Sequence, residues 1–188
     1  MGGVAGEILT PRLRLRLRLR RWRQDDLGPL TAIFAEPEVW RFPFGRGFTP
    51  DETEGFLARR LVAQDREGSS PAAAEDRETG RLIGYVGLSV PEWLPEVLPA
   101  VEVGWRLAPS FWGRGLATEG ARAALDHGFT EMGLSEVISV YEPENVASGR
   151  VMARVGMRLV RETRHPASGL ALLIHRVTRH EWENRTTA

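Results

Sequence analysis

The chain has 188 residues, 42% hydrophobic and 27% charged, the make-up of one globular domain, with no apolar run near the ~20 residues of a membrane helix. Its 25 basic and 25 acidic residues cancel, which argues against a nucleic-acid or anionic-membrane partner, and the lack of Cys excludes disulfides, thiolate nucleophiles and cysteine-bound metals. Every basic residue is Arg, a bias that reflects a GC-rich, bacterial type of genome more than a chemical need. Met1 to Thr10 has no basic stretch followed by an apolar one, so no secretory signal is visible and cytoplasmic residence is the default.

Arg12 to Arg20 alternates Arg and Leu, the period of a strand with one apolar and one solvated face; with zero net charge, a solvated ladder is preferred to a nucleic-acid stripe. Asp25 and Asp26 open an amphipathic helix carrying Leu27, Leu30, Ile33 and Phe34, closed near Pro37. An aromatic loop follows, with Trp40, Phe42 and Phe44, and then Thr49 caps a helix from about Pro50 to Gln64, with Pro50 at its first position. Ala72 to Glu75 and Leu82 to Val90 read as antiparallel strands joined around Asp76 to Gly80. Pro91 to Pro99 is a loop.

Ala100 to Leu107 alternates again, with Val101, Val103, Trp105 and Leu107 on one face and Glu102, Gly104 and Arg106 on the other. From Arg114 a helical spacing runs through Leu116, Ala117, Ala121, Leu125 and Phe129 until Gly133. Val137 to Tyr141 is a short strand, Ala147 to Val155 a helix stopped by Gly156, and Met157 to Val177 two strands around Pro166 to Gly169. The expectation is an α+β fold with a mixed, mostly antiparallel twisted sheet of about seven strands and about four helices. It is one domain over 1–188, with about 1–8 a flexible lead and about 180–188 a tail.

The chemistry concentrates in Ala108-Pro109-Ser110-Phe111-Trp112-Gly113-Arg114-Gly115-Leu116-Ala117-Thr118-Glu119. A strand that feeds through two glycines into a helix leaves backbone N–H groups unpaired at the positive end of the helix dipole, a place for phosphate oxygens. Arg114 adds a fixed charge. No Gly-Lys-Ser/Thr follows, so this is not a P-loop, and a plain tight turn with a surface Arg is the bland alternative.

The stretch Trp112-Gly113-Arg114-Gly115-Leu116-Ala117 resembles motif A of the GNAT acetyltransferase superfamily, Arg/Gln-x-x-Gly-x-Gly/Ala, with Trp112 in place of Arg or Gln, as is familiar in the Rim-type branch of ribosomal-protein alanine acetyltransferases. Asn145-Val146-Ala147-Ser148, followed by a short helix and Gly156-Met157, is similar to motif B, Asn-x-x-Ser with a helix and Gly-Phe. Thr10-Pro11-Arg12-Leu13 with Leu17-Arg18 resembles the Rim-type opening.

The resemblance implies transfer of an acetyl group from acetyl-CoA to a primary amine, on a small molecule or a peptide N-terminus, by direct attack in a ternary complex. A non-catalytic acyl-CoA binding or sensing module of the same fold is the alternative. It further implies that Trp105, Arg106, Leu107 and Ala108 bond the pantetheine through backbone groups, and that Trp112 to Thr118, Asn145 and Ser148 complete the coenzyme site. Glu102 is the candidate base, with ion pairing to an Arg as its other reading. Many family members place an acidic Tyr where this chain has Met152, so Ser148 is the candidate thiolate-facing group, with a helix-start Ser as its other reading. Trp40, Phe42, Phe44 and Trp93 are candidates for acceptor selection, with core anchoring equally open. None of His127, His165, His175 and His180 has metal-ligand spacing, so no metal is expected. Dimers are common among similar proteins, but the sequence shows no clear interface stripe.

Overall fold

The structure, a computed structural model, describes residues 17–65 and 70–186. Its strands are β1 (Leu17–Arg20), β2 (Ala72–Asp76), β3 (Leu82–Ser89), β4 (Glu102–Leu107), β5 (Glu136–Tyr141), β6 (Arg158–Arg164) and β7 (Ala171–Thr178). They form one sheet in the order β1-β2-β3-β4-β5-β7-β6, antiparallel throughout except where β4 meets β5. The opening motif, the expected N-terminal lead and the first part of the Arg-Leu ladder lie outside the described residues.

Helices α1 (Leu27–Phe34), α2 (Arg41–Phe44) and α3 (Pro50–Ala63) come before β2; α4 (Leu116–Thr130) links β4 to β5, α5 (Val146–Arg154) follows β5, and α6 (Arg179–Thr186) follows β7. Two of these were not expected from the sequence. The aromatic loop contains the single turn α2, and the supposed C-terminal tail is helical over 179–186. The start of α3 follows the sequence closely: Thr49 Oγ1 accepts from the Glu52 N–H at 3.3 Å, and Glu52 Oε2 accepts from the Thr49 N–H at 2.8 Å.

The sheet is covered on both faces. On one, Phe34 meets Trp40, Phe48 and Phe56 edge-on at 4.9, 5.6 and 5.1 Å, and this cluster packs over Ala73 and Leu82. On the other, Leu125 and Phe129 of α4 and Met152 of α5 pack on Leu88, Val103, Val137 and Val177. Helix α4 lies tight against β3 because Gly120 has no side chain: a Cβ there would sit 3.0 Å from Val86 Cγ1.

The solvated Arg face expected for β1 fails at its last member. Arg20 is only 6% exposed; its guanidinium is bidentate to Asp26 at 2.6 and 2.9 Å and also bonds Glu75 at 2.8 Å. Two carboxylates from neighbouring elements offset the desolvation of the cation, and the Asp26 bond leads in raising its pKa further. Removing the cation would leave two carboxylates buried together. Arg20→Ala is therefore expected to lose about 3–5 kcal/mol of unfolding free energy, read as the shift of a urea midpoint.

Candidate active site

The centre of the sheet is a fork. Strand β4 pairs with β3 from Glu102 to Leu107, but its register with β5 is the single pair Glu102↔Ile138, supported by the Ile138 N–H bond to the Val101 carbonyl at 3.0 Å. Side chains take over where the ladder stops. Ser139, only 2% exposed, donates its hydroxyl to the Val103 carbonyl at 2.8 Å, and the Val140 N–H donates to Glu102 Oε1 at 3.3 Å.

Backbone direction alternates along a strand, so the same bonds show what β4 presents to the opening. Val101 and Val103 point their carbonyls at β5, while the Ala108 N–H bonds the Ile83 carbonyl at 2.8 Å on the β3 side. Trp105 and Leu107 therefore turn their backbone groups to the fork, and Arg106 and Ala108 turn theirs to β3. Of the four backbone positions expected to bond the pantetheine, Trp105 and Leu107 turn to the fork and Arg106 and Ala108 do not. The Leu107 carbonyl is already taken by the Trp112 indole N–H at 2.7 Å, which ties the turn after β4 to the end of the strand.

That turn ends on two glycines in the left-handed region, Gly113 at φ 72° and Gly115 at φ 79°, the latter capping α4. The first bond into the helix is from the Glu119 N–H to the Gly115 carbonyl at 3.0 Å, and Gly115 has no side chain to cap with. The N–H groups of Leu116, Ala117 and Thr118 thus have no partner among the described residues. The Thr118 hydroxyl, in a residue 7% exposed, is likewise buried without one. Arg114 extends over the Phe111 ring at 5.0 Å. Several unspent donors at a helix N-terminus, next to an orphaned hydroxyl, fit a diphosphate.

Glu102 stands where the fork opens. Part of the residue still reaches solvent, yet its carboxyl is enclosed, and burial pushes it up to about 7, against the opposing pull of the hydrogen bond from the Val140 N–H. It accepts from a backbone amide, and no Arg pairs with it among the described residues. A carboxyl near neutrality is suited to accept a proton at physiological pH.

Asn145 caps α5, its Oδ1 accepting from the Ser148 N–H at 3.2 Å, and Ser148 is partly exposed on the first turn. Met152, at the position where many family members carry Tyr, is 1% exposed and belongs to the core. No hydrogen bond joins Glu102 to Ser148 among the described residues; Glu102 is on β4 and Ser148 on α5. Trp40 is also core: 6% exposed, stacked on Phe48 at 3.8 Å and covered by the Arg106 guanidinium at 3.7 Å. Arg106 bonds the Val39 and Phe42 carbonyls, so its side chain holds the aromatic segment to β4. Phe44 and Trp93 remain exposed and Phe42 is intermediate. Sequence reasoning missed Ser139, whose signal was a lone hydroxyl inside the β-branched run Val137 to Val140.

A mixed sheet split beside a glycine-capped helix defines an acetyltransferase architecture. The family model for the acetyltransferase (GNAT) domain matches residues 16–158, and the chain belongs to that family. It is 46% identical over 143 residues to the uncharacterized N-acetyltransferase YnaD of Bacillus subtilis (strain 168), covering 76% of this chain and 79% of that one. It is 31% identical over 168 residues to the FsC-acetyl coenzyme A-N(2)-transacetylase of Aspergillus fumigatus, covering 78% and 67%. The solved acetyltransferase from Agrobacterium tumefaciens superposes with a TM-score of 0.72 at 27% identity, over 90% of this chain and 95% of that one. Among the described residues no helix is long and apolar enough to cross a membrane, and no three His, Cys, Asp or Glu are grouped to hold a metal.

Proposed function

We propose that this chain is a Rim-type N-acetyltransferase that moves an acetyl group from acetyl-CoA to a primary amine, on a peptide N-terminus or a small molecule. The observation that carries the reading is Glu102, a carboxyl held at about 7 by burial at the point where β4 and β5 part. When bound, acetyl-CoA supplies the acyl thioester. The N–H groups of Leu116, Ala117 and Thr118 and the Thr118 hydroxyl would hold its diphosphate, and the backbone groups of Trp105 and the Leu107 N–H would hold the pantetheine. Glu102 accepts the proton that the acceptor ammonium must lose to become a nucleophile. Ser148 donates its hydroxyl toward the sulfur side, and Asn145 orders the turn that carries it.

The test is release of free thiol in the presence of a panel of primary amines and short peptides. Amine-dependent release is expected. Tight coenzyme A binding with no release for any acceptor would favour a non-catalytic binding module instead. Within the active protein, Ser148→Ala removes one hydrogen bond worth about 1–1.5 kcal/mol and is expected to lower kcat about tenfold, with KM for acetyl-CoA little changed.

A further inference from the structure

We infer that Gly104 is a specificity-determining residue: the acceptor amine reaches the fork across the bare stretch of β4 that Gly104 leaves, and the room there sets which primary amines can be acetylated. The inference rests on the reading of the fork as a site of acetyl transfer.

Three glycines lie inside the described strands, and two are explained by the backbone around them. Gly84 has φ 132°, and a Cβ there would sit 2.1 Å from the Arg106 carbonyl oxygen; Gly87 has φ 153°, and a Cβ there would sit 2.9 Å from the Ala72 nitrogen. Gly104 is different. It is not among the glycines of positive φ, and among the described residues a Cβ there would meet nothing within 4 Å. Neither conformation nor packing calls for glycine at this position, although glycine weakens a strand interior. A glycine of that kind marks a place where something from outside the sheet comes close to the backbone.

The room has a direction. Val103 and Leu107 are buried on the α4 side of the sheet, so alternation puts Glu102, Gly104 and Arg106 on the opposite face. Their cross-strand neighbours on β3 are Ser89, Gly87 and Tyr85, and Gly87 has no side chain either. The face is therefore bare for one residue on each strand, between two polar ends. At one end Arg106 Nε donates to the Tyr85 hydroxyl at 3.3 Å, and the guanidinium covers Trp40. At the other stands the Glu102 carboxyl, held by the Val140 N–H. On the third side β5 has already parted from β4, because their register stops at Glu102↔Ile138. Gly104 thus lies between the Glu102 carboxyl and the Trp105 backbone groups that face the fork. An amine that meets both must cross it, with its first carbons where a β4 side chain would otherwise stand. A methyl group at 104 competes for that space with any substituent on the carbon bearing the nitrogen, so amines branched at that carbon, as peptide N-termini are, should suffer before unbranched ones.

The experiment compares wild type with Gly104→Ala and Gly104→Val. Thiol release is followed with n-butylamine and with the branched alaninamide, coenzyme A affinity by calorimetry, and folding by the urea midpoint. Two conjugates, coenzyme A carrying –CH2–CO–NH2 on its sulfur and the N-butyl form of that amide, give a reading independent of turnover. Gly104→Ala should raise KM for alaninamide about tenfold and KM for n-butylamine less, and Gly104→Val should raise both, with coenzyme A affinity within about twofold of wild type. The urea midpoint of Gly104→Ala should not fall, since the new Cβ is unopposed and the unfolded chain loses freedom. In wild type the N-butyl conjugate should bind about tenfold more tightly than the plain amide, and Gly104→Val should erase that gain. Acceptor constants and conjugate affinities that are the same in all three proteins overturn the inference. So does Gly104→Ala that weakens coenzyme A while leaving the acceptor constants alone, or that lowers the urea midpoint. If no amine releases thiol in wild type and the N-butyl gain is nonetheless lost in Gly104→Val, the crossing at Gly104 stands and the catalytic reading falls.

Discussion

Glu102→Gln is expected to lower kcat by roughly 10²–10⁴, the usual range for loss of a general base, while coenzyme A affinity holds. Gln keeps an acceptor oxygen for the Val140 N–H that now bonds Glu102 Oε1 at 3.3 Å, so the fork should survive the change. What disappears is a site for the acceptor's proton. In wild type kcat/KM should rise with pH and level off above about 7, where the carboxyl becomes ionised, and this limb should vanish in the variant. Stability should move the other way. A carboxyl whose pKa is raised on folding is held more firmly in its protonated form than in the unfolded chain, so its contribution is full below the ordinary Glu range and is lost as pH climbs through about 7. Glu102→Gln should accordingly melt above wild type at pH 8 and converge with it near pH 4. Wild-type turnover in the variant, with the pH limb intact, would remove Glu102 from the mechanism.

Gly115→Val should produce the second large effect, on binding rather than on the proton. Gly115 caps α4 at φ 79°, a conformation costing an ordinary L-residue about 1–2 kcal/mol, and a β-branched residue is a poorer occupant still. To escape, the turn must rotate, which misaligns the Leu116, Ala117 and Thr118 N–H groups from any shared anion. A fall in coenzyme A affinity of roughly 10–100-fold is expected from the loss of one or two charge-assisted bonds. The pH limb set by Glu102 should be unaffected, since the carboxyl sits at the other end of β4. Unaltered affinity would mean that the phosphates are held elsewhere.

Local patterns carried much of this fold. Alternation exposed β4, helical spacing exposed α4, and Thr49-Pro50-Asp51-Glu52 marked the start of α3, because each is dictated by residues within a turn or two. The helix α6 was equally local and still overlooked. Thr178 and Glu181 form a reciprocal cap, with the Thr178 N–H donating to Glu181 Oε2 at 2.9 Å and the Glu181 N–H to Thr178 Oγ1 at 3.3 Å, but the polar surface of the helix hid it from a reading based on apolar period.

The site was legible in its backbone and less so in its side chains. Paired glycines announce free donors, as Gly113 and Gly115 do, because the requirement is conformational and belongs to the glycine itself. Long-range partners leave no such trace. Nothing near Arg20 in sequence points to Glu75, and nothing near Glu102 points to Val140, so the burial of the first and the near-neutral carboxyl of the second emerge only when the sheet is assembled. Arg106 has the same lesson: alternation placed its side chain opposite Trp105, but only the folded chain puts it over Trp40.

The most direct measurement compares coenzyme A with pantetheine, which lacks the diphosphate and nucleotide, by titration calorimetry on the wild-type protein. If the amides after Gly115 grip phosphate oxygens, coenzyme A should bind saturably and at least about a hundredfold more tightly than pantetheine, the equivalent of two charge-assisted hydrogen bonds. Equal affinities, or no heat with coenzyme A, would contradict the account.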